Sequence, residues 1–283
     1  SASTPAQVRE KLRACRSHRG ADRIKFKRLK SQPFAERMIV STSQKFIYCP
    51  IPKAANSNWK SMIRKWEGFS DYKNLTLAHH AEKSGLTLLS EFPAPQILAM
   101  LRDPSYFKFA FVRNPYARAL SCYLNKFANK DSNSSEFRHF MEQLYGYDIL
   151  HFPQNNSTPE SLKPTFREFL TRVAKQKPSA MNEHWAPQGY LCGLHAVSYD
   201  FLGHLEAVDA EAQAVLAAVG KGEERFPTQR KIGFASSGTA ERLKGSFDEE
   251  LEEMVEEVYE EDFRMLGYEA KDLAGHPSVC DLG

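Results

Sequence analysis

The chain has 283 residues, and its hydrophobic share of 42% and aromatic share of 12% can fill one large α/β domain or two small ones, which excludes a globally disordered protein. The formal net charge of +3 is small but unevenly distributed, with eleven Lys or Arg from Arg9 to Arg37 and twelve Asp or Glu from Phe247 to Asp272. Each stretch is typical of a solvated helical face. The basic stretch is equally typical of an arm that binds an acidic polymer such as a polyanionic glycan.

The cysteines leave the redox compartment open. Five cysteines are too few for a disulfide scaffold, and their spacing matches no zinc-binding pattern, so no metal site is expected. Cys49 and Cys122 lie in apolar surroundings and are either buried thiols or partners in a bridge. Glycosylation sequons favour a secretory lumen; they begin at Asn74, Asn133, Asn155 and Asn156. No apolar run approaches the roughly 18 residues that span a bilayer.

After a basic lead-in over residues 1–44, the first informative segment is KFIYCPIPKAANSNWKSMIRKW, residues 45–66. Its start, Lys45–Cys49, predicts a buried strand, and the polar residues from Asn56 predict the start of a helix. A strand that feeds a turn and then a helix presents unpaired backbone N–H groups and the positive end of the helix dipole. This turn therefore predicts an anion site, although it matches neither GxxxxGK[ST] nor GxGxxG.

The residues of this turn suit an oxyanion. The small residues after Lys53 let the backbone close around the anion, Lys53 adds a mobile charge, and Ser57 adds a hydroxyl donor. Trp59 either offers a flat face to a base or packs in the core. No carboxylate pair for Mg²⁺ follows the turn, so we expect chemistry without a metal.

A second strand–turn–helix segment, YFKFAFVRNPYARALSCYLNKF, covers residues 106–127. A strand over Tyr106–Val112 precedes Arg113, and a helix is predicted from about Tyr116 to Phe127. An Arg in this place makes a bidentate clamp for a terminal phosphate, and Ser121 follows two helical turns later. Two such turns in one chain indicate a ligand with two separate phosphate-like groups.

The remaining elements follow in chain order. They are a mixed region over 70–105 with His79 and His80 in a loop, a polar surface insertion over 128–160, a helix over Thr165–Lys175, the stretch Asn182–Trp185, a strand over Val197–Leu202, a helix over Ala207–Val219, a basic turn from Arg225 to Gly238, and an acidic amphipathic helix through Leu251 and Leu266. Strands alternating with helices predict a parallel-sheet α/β domain with its ligand at the carboxyl ends of the strands.

Five ordered motifs now carry a resemblance: PIPKAANSNW, FVRNPYARALSCY, MNEHW, YDFLGHLE and EEVYEEDFRMLGY. Over residues 45–268 the chain resembles the carbohydrate sulfotransferases of family two. It is most similar to the branch with the chondroitin and dermatan 4-O-sulfotransferases and the killer-cell-epitope glucuronyl sulfotransferase. The resemblance implies a P-loop-like central parallel sheet flanked by helices, in a single sulfotransferase domain over 45–283 behind a lead-in or stem over 1–44.

The resemblance also implies a donor, 3′-phosphoadenosine 5′-phosphosulfate, with one phosphate group for each turn. The expected phosphosulfate loop consists of Lys53, Ala54, Asn56, Ser57 and Asn58, with Trp59 beside it. The expected 3′-phosphate ligands are Arg113 and Ser121. Arg230 and Lys231 resemble late basic loops that close over the nucleotide.

On the acceptor side, His79 or His80 lies where related sulfotransferases keep their general base, and His80 is the closer match. An ordinary surface histidine is the alternative for each. Glu183, His184 and Trp185 suit a sugar, since a Trp face and a carboxylate match its apolar face and hydroxyls; otherwise Trp185 is a core residue.

The chain departs from the family at two places. Asn56 stands where the family usually has Cys, and an amide can still donate to an oxyanion. Cys192 lacks the second cysteine of a Cys-x-x-Cys pair, because His195 occupies that position. A family disulfide or acceptor-side detail is therefore expected to be absent.

The leading hypothesis is a sulfotransferase that acts on an acidic or neutral glycan, such as the glycosaminoglycans chondroitin and dermatan. The alternatives are a non-catalytic nucleotide- or polyanion-binding protein, and a sulfotransferase with a non-carbohydrate acceptor. No nucleic-acid partner is expected. Family membership implies the Golgi lumen, with a type II membrane anchor upstream of Ser1, and leaves the oligomeric state open.

Overall fold

The computed structural model describes residues 3–20, 29–80, 82–146, 163–227, 239–275, 277–278 and 280. The chain divides into two compact units. Unit 1 comprises Ser1–Arg113, Gln188–Phe234 and Pro277–Gly283, and unit 2 comprises Asn114–Pro187 and Ala235–His276.

The helices and strands follow in this order: α1 (Pro5–Arg16), β1 (Ile39–Ser41), β2 (Phe46–Cys49), α2 (Asn56–Trp66), α3 (Leu75–His79), α4 (Ala94–Arg102), β3 (Phe107–Val112), α5 (Pro115–Tyr123), α6 (Ser135–Tyr145), α7 (Phe166–Ala174), α8 (Gln188–Leu191), β4 (Phe201–His204), α9 (Val208–Ala218), α10 (Thr239–Ser246), α11 (Glu249–Val258) and α12 (Glu260–Leu266). The fold class is mixed α/β. Strands β1 to β4 and helices α1 to α4, α8 and α9 belong to unit 1, and the other helices belong to unit 2.

The described part of unit 1 holds a four-stranded sheet in the order β1-β2-β3-β4. Strand β3 pairs in parallel with β2 and with β4, as expected. Strand β1 instead pairs antiparallel with β2, so the prediction of a wholly parallel sheet is wrong at this edge. The connection from β1 to β2 is a tight turn, and a turn this short can join only antiparallel neighbours.

The register of the sheet brings together the ends of the two strands that precede the predicted phosphate-binding turns. Cys49, the last residue of β2, pairs with Ala110, and Val112, the last residue of β3, pairs with His204. Because β2, β3 and β4 run in parallel, the loops that follow them leave from one edge of the sheet. All six residues of β3 are buried, including Lys108, and the five apolar residues of FKFAFV predict such a buried strand.

The basic lead-in contributes a helix to unit 1. Helix α1 packs against α9 and β4, and its arginines make long-range contacts there. The Nε atoms of Arg9 and Arg13 donate to the Ala218 carbonyl at 2.8 Å and to Asp200 Oδ1 at 2.7 Å. Arg16 Nη1 lies 2.6 Å from Oε1 of Glu211, which is fully buried. These three charges attach α1 to the unit, so they do not form an open surface for a polyanion.

Unit 2 is built from helices around buried aromatic side chains. The rings of Phe127, Phe169 and Trp185 contact one another, with centroids 5.4 to 6.1 Å apart. Helix α6 lies within the predicted insertion 128–160, and residues 147–160 fall outside the described ranges. The predicted acidic helix is two helices, α11 and α12, which meet at Tyr259.

Most predicted elements have their expected type, with shifted ends. The helix predicted over Thr165–Lys175 is α7, with Thr165 as its N-cap and Lys175 as its C-cap. The strand predicted over Val197–Leu202 begins only at Phe201 and continues to His204. Helix α4 was not predicted within the mixed region 70–105.

Two disulfides tie unit 1 together. Cys15 bonds to Cys280 and Cys49 bonds to Cys192, whereas Cys122 is a buried thiol. The cysteines therefore bear on the redox compartment, which the sequence alone left open, because four of the five form disulfides. Cys192 needs no second cysteine nearby, because its partner comes from the end of β2.

We expect Cys15→Ser to lower the free energy of unfolding by about 2–5 kcal/mol, because the bond to Cys280 closes a loop of 265 residues in the unfolded chain. Urea unfolding of the oxidised protein measures the effect. The double variant Cys15→Ser/Cys280→Ser should lose about the same amount as the single variant. A loss below about 0.5 kcal/mol, usual for a substitution at an exposed site, would contradict the bridge.

Candidate functional site

The loop between β2 and α2 has an unusual backbone. Lys53 and Ala55 have φ angles of 72° and 59°, although neither is glycine. The left-handed region costs an ordinary residue about 1–2 kcal/mol. Ala54 between them is fully buried, so the chain is forced through a tight path at this point. Strain of this kind is concentrated at ligand-binding turns.

The start of α2 lacks a side-chain cap. The sequence predicts Asn56, Ser57 and Asn58 as helix-starting residues, but the N-cap is Ala55, which makes no side-chain capping hydrogen bond. Asn56 and Ser57 therefore lie in the first turn, where backbone N–H groups have no intrahelical partner. With the positive end of the helix dipole, this start suits an anion.

The side chains of the first helical turn divide into two roles. Asn56 is 8% exposed, and among the described residues its Oδ1 has no hydrogen-bond partner. Because an amide can turn either end toward a ligand, Asn56 suits an oxyanion. Asn58 is 8% exposed, and its Nδ2 donates to the Pro227 carbonyl at 2.7 Å, so this side chain is already used in holding the fold.

Trp59 is a core residue. It is fully buried, and its ring lies 4.8 Å from Phe226 and 5.1 Å from Phe109. The prediction that Trp59 lies beside the nucleotide is therefore wrong, because neither face of the indole is open to a ligand.

Burial also raises the pKa of neighbouring Tyr48 well above its ordinary value, so this phenol stays protonated.

The two candidate base histidines have different surroundings. His79 ends α3, and its Nε2 lies 2.8 Å from Ser57 Oγ, which brings it to the first turn of α2. His80 Nδ1 accepts from the backbone N–H groups of Glu82 and Lys83, each at 3.3 Å. The geometry therefore favours His79, although the sequence match favoured His80.

Arg113 contacts the first loop directly. Its Nη1 donates to the Lys53 carbonyl at 3.4 Å, so the sheet brings the two predicted phosphate-binding loops together within unit 1. The Arg113 backbone is held by Gln188, which is fully buried. Gln188 could not be predicted from the sequence, because one glutamine at the start of a short helix has no recognisable pattern.

The second turn differs from the first in its helix start. Asn114 Oδ1 accepts from the N–H groups of Tyr116 at 3.0 Å and Ala117 at 3.4 Å, and Pro115 has no N–H. The prediction that both turns present unpaired N–H groups is therefore wrong for the second. Its capacity for an anion depends on the Arg113 guanidinium.

Three further donor-side residues were predicted: Ser121, Arg230 and Lys231. Ser121 is in α5 of unit 2 and is 2% exposed. Arg230 and Lys231 fall outside the described residues. Over the described ranges, no group of three or more His, Cys, Asp or Glu is placed to hold a metal ion.

The predicted acceptor cluster belongs to unit 2. Trp185 is fully buried and its Nε1 donates to Gln176 Oε1 at 2.8 Å, so it is a core residue and the prediction that its face meets a sugar is wrong. His184 is half-buried, with Nδ1 at 2.7 Å from Asn182 Oδ1. The backbone carbonyl of half-buried Glu183 accepts from Arg118.

We expect Ala55→Gly to leave the free energy of unfolding unchanged or to raise it by up to about 1 kcal/mol, because glycine relieves the left-handed backbone but has more freedom when unfolded. Urea unfolding measures it. The matched control is Ala214→Gly within α9, which should lose about 1 kcal/mol in an ordinary helical backbone. Equal losses in the two variants would show that Ala55 has no special conformation.

Comparison with known proteins adds family information. The sequence model of the sulfotransferase family matches residues 36–269. Carbohydrate sulfotransferase 14 of Homo sapiens is 36% identical over 196 residues, covering 68% of this chain and 49% of that protein. Carbohydrate sulfotransferase 11 of Danio rerio is 29% identical over 265 residues, covering 90% of this chain and 72% of that protein.

The chain spans about half the length of the carbohydrate sulfotransferase 14 relatives that it matches. No solved structure gives a significant match. Within the described residues, no helix combines the length and the apolar character that crossing a membrane requires. The family match covers both strand–turn–helix segments and the site built on them, and on this evidence the chain belongs to the sulfotransferase family.

Proposed function

We propose that the protein is a carbohydrate O-sulfotransferase that moves a sulfuryl group from 3′-phosphoadenosine 5′-phosphosulfate to a hydroxyl of a glycan. The observation that carries the proposal is the contact between the two loops, where Arg113 Nη1 lies 3.4 Å from the Lys53 carbonyl. It brings two cationic side chains and one uncapped helix start to one edge of the sheet. The names of the relatives support a carbohydrate acceptor.

The residues of unit 1 fit a nucleotide with phosphate groups at two positions. The uncapped start of α2 suits the 5′-phosphosulfate, and so does the Asn56 amide, whose Oδ1 has no partner among the described residues, because the group can turn its Nδ2 donor toward the anion. Arg113 suits the 3′-phosphate, since a guanidinium binds phosphate oxygens in pairs. Ser121 stays a proposed second ligand for that phosphate. When bound, the nucleotide supplies the sulfuryl group.

Charge stabilisation is the main task of the first loop. Sulfuryl transfer resembles phosphoryl transfer in its expected loose transition state, where positioning and electrostatics dominate. The Lys53 ammonium would neutralise the charge that grows on the leaving phosphate. Ser57 and the N–H groups of the first α2 turn would hold the sulfuryl oxygens.

His79 is the proposed general base. Its Nε2 lies 2.8 Å from the hydroxyl oxygen of Ser57. A general base has to come within this distance of the glycan hydroxyl whose proton it takes. The acceptor hydroxyl would give its proton to this imidazole as its oxygen bonds to sulfur. The bond between sulfur and the phosphate oxygen breaks in the same step, leaving a sulfate ester and the bisphosphate nucleotide.

The acceptor and the compartment follow less directly. A glycosaminoglycan such as chondroitin or dermatan is the proposed acceptor, with Glu183 and His184 of unit 2 as its polar contacts. Two disulfides and exposed sequon residues at Asn74 and Asn133 favour an oxidising secretory compartment, for which we propose the Golgi lumen.

The direct test of the function follows labelled sulfate from the donor to desulfated chondroitin and dermatan. We expect Lys53→Ala to lower the transfer rate by about 10²-fold or more, because the leaving phosphate loses its counter-charge. Lys65→Ala is the control, since Lys65 lies on α2 and pairs with Glu224 at the surface. Full activity of Lys53→Ala, or no transfer by the unmodified protein to any glycan, would contradict the proposal.

A second test separates the histidines at saturating donor. We expect His79→Ala to lower kcat by about 10²–10⁴-fold, the usual contribution of a general base. His80→Ala should keep its kcat, because the His80 ring accepts hydrogen bonds from the turn after α3. If both variants turn over normally, the base lies elsewhere, and a larger loss in His80→Ala would reverse the assignment.

A further inference from the structure

The Gln188 side chain forms hydrogen bonds to both the backbone N–H and the backbone carbonyl of Arg113. The backbone N–H of Arg113 donates to Gln188 Oε1 at 2.9 Å, and Gln188 Nε2 donates to the Arg113 carbonyl at 2.8 Å. The glutamine is fully buried, so water does not compete for this pair of bonds. The two bonds fix both the position and the direction of the Arg113 peptide.

These two hydrogen bonds, called the Gln188 clamp below, take the place of a neighbouring strand. The ladder of β3 with β4 ends at Val112, so Arg113 is the first residue whose main-chain groups need partners outside the sheet. A glutamine can offer one acceptor and one donor from the same planar group. Gln188 therefore continues the β3 hydrogen bonding by one residue and carries it to the base of the Arg113 side chain.

The element that carries Gln188 is itself attached to the first loop. Gln188 begins α8, and Cys192, directly after α8, donates its N–H to the Gln188 carbonyl at 3.1 Å. Cys192 is bonded to Cys49, the last residue of β2 before the Lys53 loop. One five-residue segment, 188–192, therefore holds the first loop through a disulfide and Arg113 through an amide.

We infer that Gln188 is a positioning residue, which directs Arg113 to the 3′-phosphate and so sets the preference for nucleotides phosphorylated at both ends of the ribose. The inference rests on the proposed function, because it needs the nucleotide donor. Gln188 is buried and acts through the Arg113 main chain. Its loss should therefore weaken recognition of the 3′-phosphate and leave the rest of the nucleotide site unchanged.

The experiment compares two probes by calorimetry, 3′-phosphoadenosine 5′-phosphate and adenosine 5′-phosphate, which lacks the 3′-phosphate. For Gln188→Met, which keeps the length of the side chain, we expect binding of the first probe to weaken about tenfold and binding of the second to stay nearly unchanged. Arg113→Ala should behave alike. The double variant should bind the first probe no more weakly than Arg113→Ala alone, since the two residues act as one unit.

The matched control is Gln213→Met. Gln213 also lies in unit 1, and its Nε2 donates to the carbonyls of Gly222 and Glu224, both at 2.9 Å. It should keep the full ratio between the two probes. If Gln188→Met fails to fold, Gln188→Glu decides by the same ratio, because a carboxylate still accepts from Arg113 N–H but cannot donate to its carbonyl.

The outcomes separate the two claims. An unmodified protein that binds both probes equally overturns the proposed donor site, and the inference with it. If the unmodified protein discriminates and a folded Gln188 variant keeps the whole ratio, the donor site stands and the role of Gln188 is overturned. A ratio that collapses in the Gln188 and Arg113 variants but persists in Gln213→Met establishes the clamp.

Discussion

The parallel pairing of β2 with β3 is the constraint on which the site depends. It places Cys49 opposite Ala110, so the loop with Lys53 and the residue Arg113 leave the sheet at the same edge. Neither loop alone identifies more than a generic anion site. The parallel pairing brings two weak anion sites, 60 residues apart in sequence, side by side, with Arg113 Nη1 3.4 Å from the backbone carbonyl of Lys53.

The packing behind the first loop explains how its strained backbone persists. Trp59, one turn into α2, is fully buried against the aromatic rings of the sheet, and Tyr48 stacks on Phe109 at 5.0 Å. An aromatic core of this kind fixes α2 on the sheet, so the loop before it has to follow the path left open. The left-handed Lys53 and Ala55 are then held by packing that lies outside the loop.

Sequence predicted those features that local patterns determine. The largely apolar run of β3 predicts a buried strand, and the pattern over Thr165–Lys175 predicts the helix that the structure shows as α7. Trp59 and Trp185 were ambiguous, because an aromatic residue at a functional motif looks the same whether it faces a ligand or the core. Their burial depends on partners distant in the chain.

Long-range pairings account for the other differences. The Arg16–Glu211 pair and the Cys49–Cys192 bond join residues 195 and 143 positions apart, and no local spacing reports them. For the same reason, the sequence of α1 does not show whether its arginines pair within the fold or form a free basic arm. The Asn114 cap is equally invisible in the sequence, because an asparagine before a proline is compatible with a turn as well as with a helix cap. The composition gives the number of charged residues, but it does not show which of them form ion pairs with each other.

The most direct measurement of the central claim is a crystal structure of the protein with 3′-phosphoadenosine 5′-phosphate bound. We expect the 5′-phosphate to lie against Lys53 and the first-turn N–H groups of α2, and the 3′-phosphate to contact the Arg113 guanidinium. A nucleotide ordered elsewhere, with neither Lys53 nor Arg113 touching a phosphate, would contradict it.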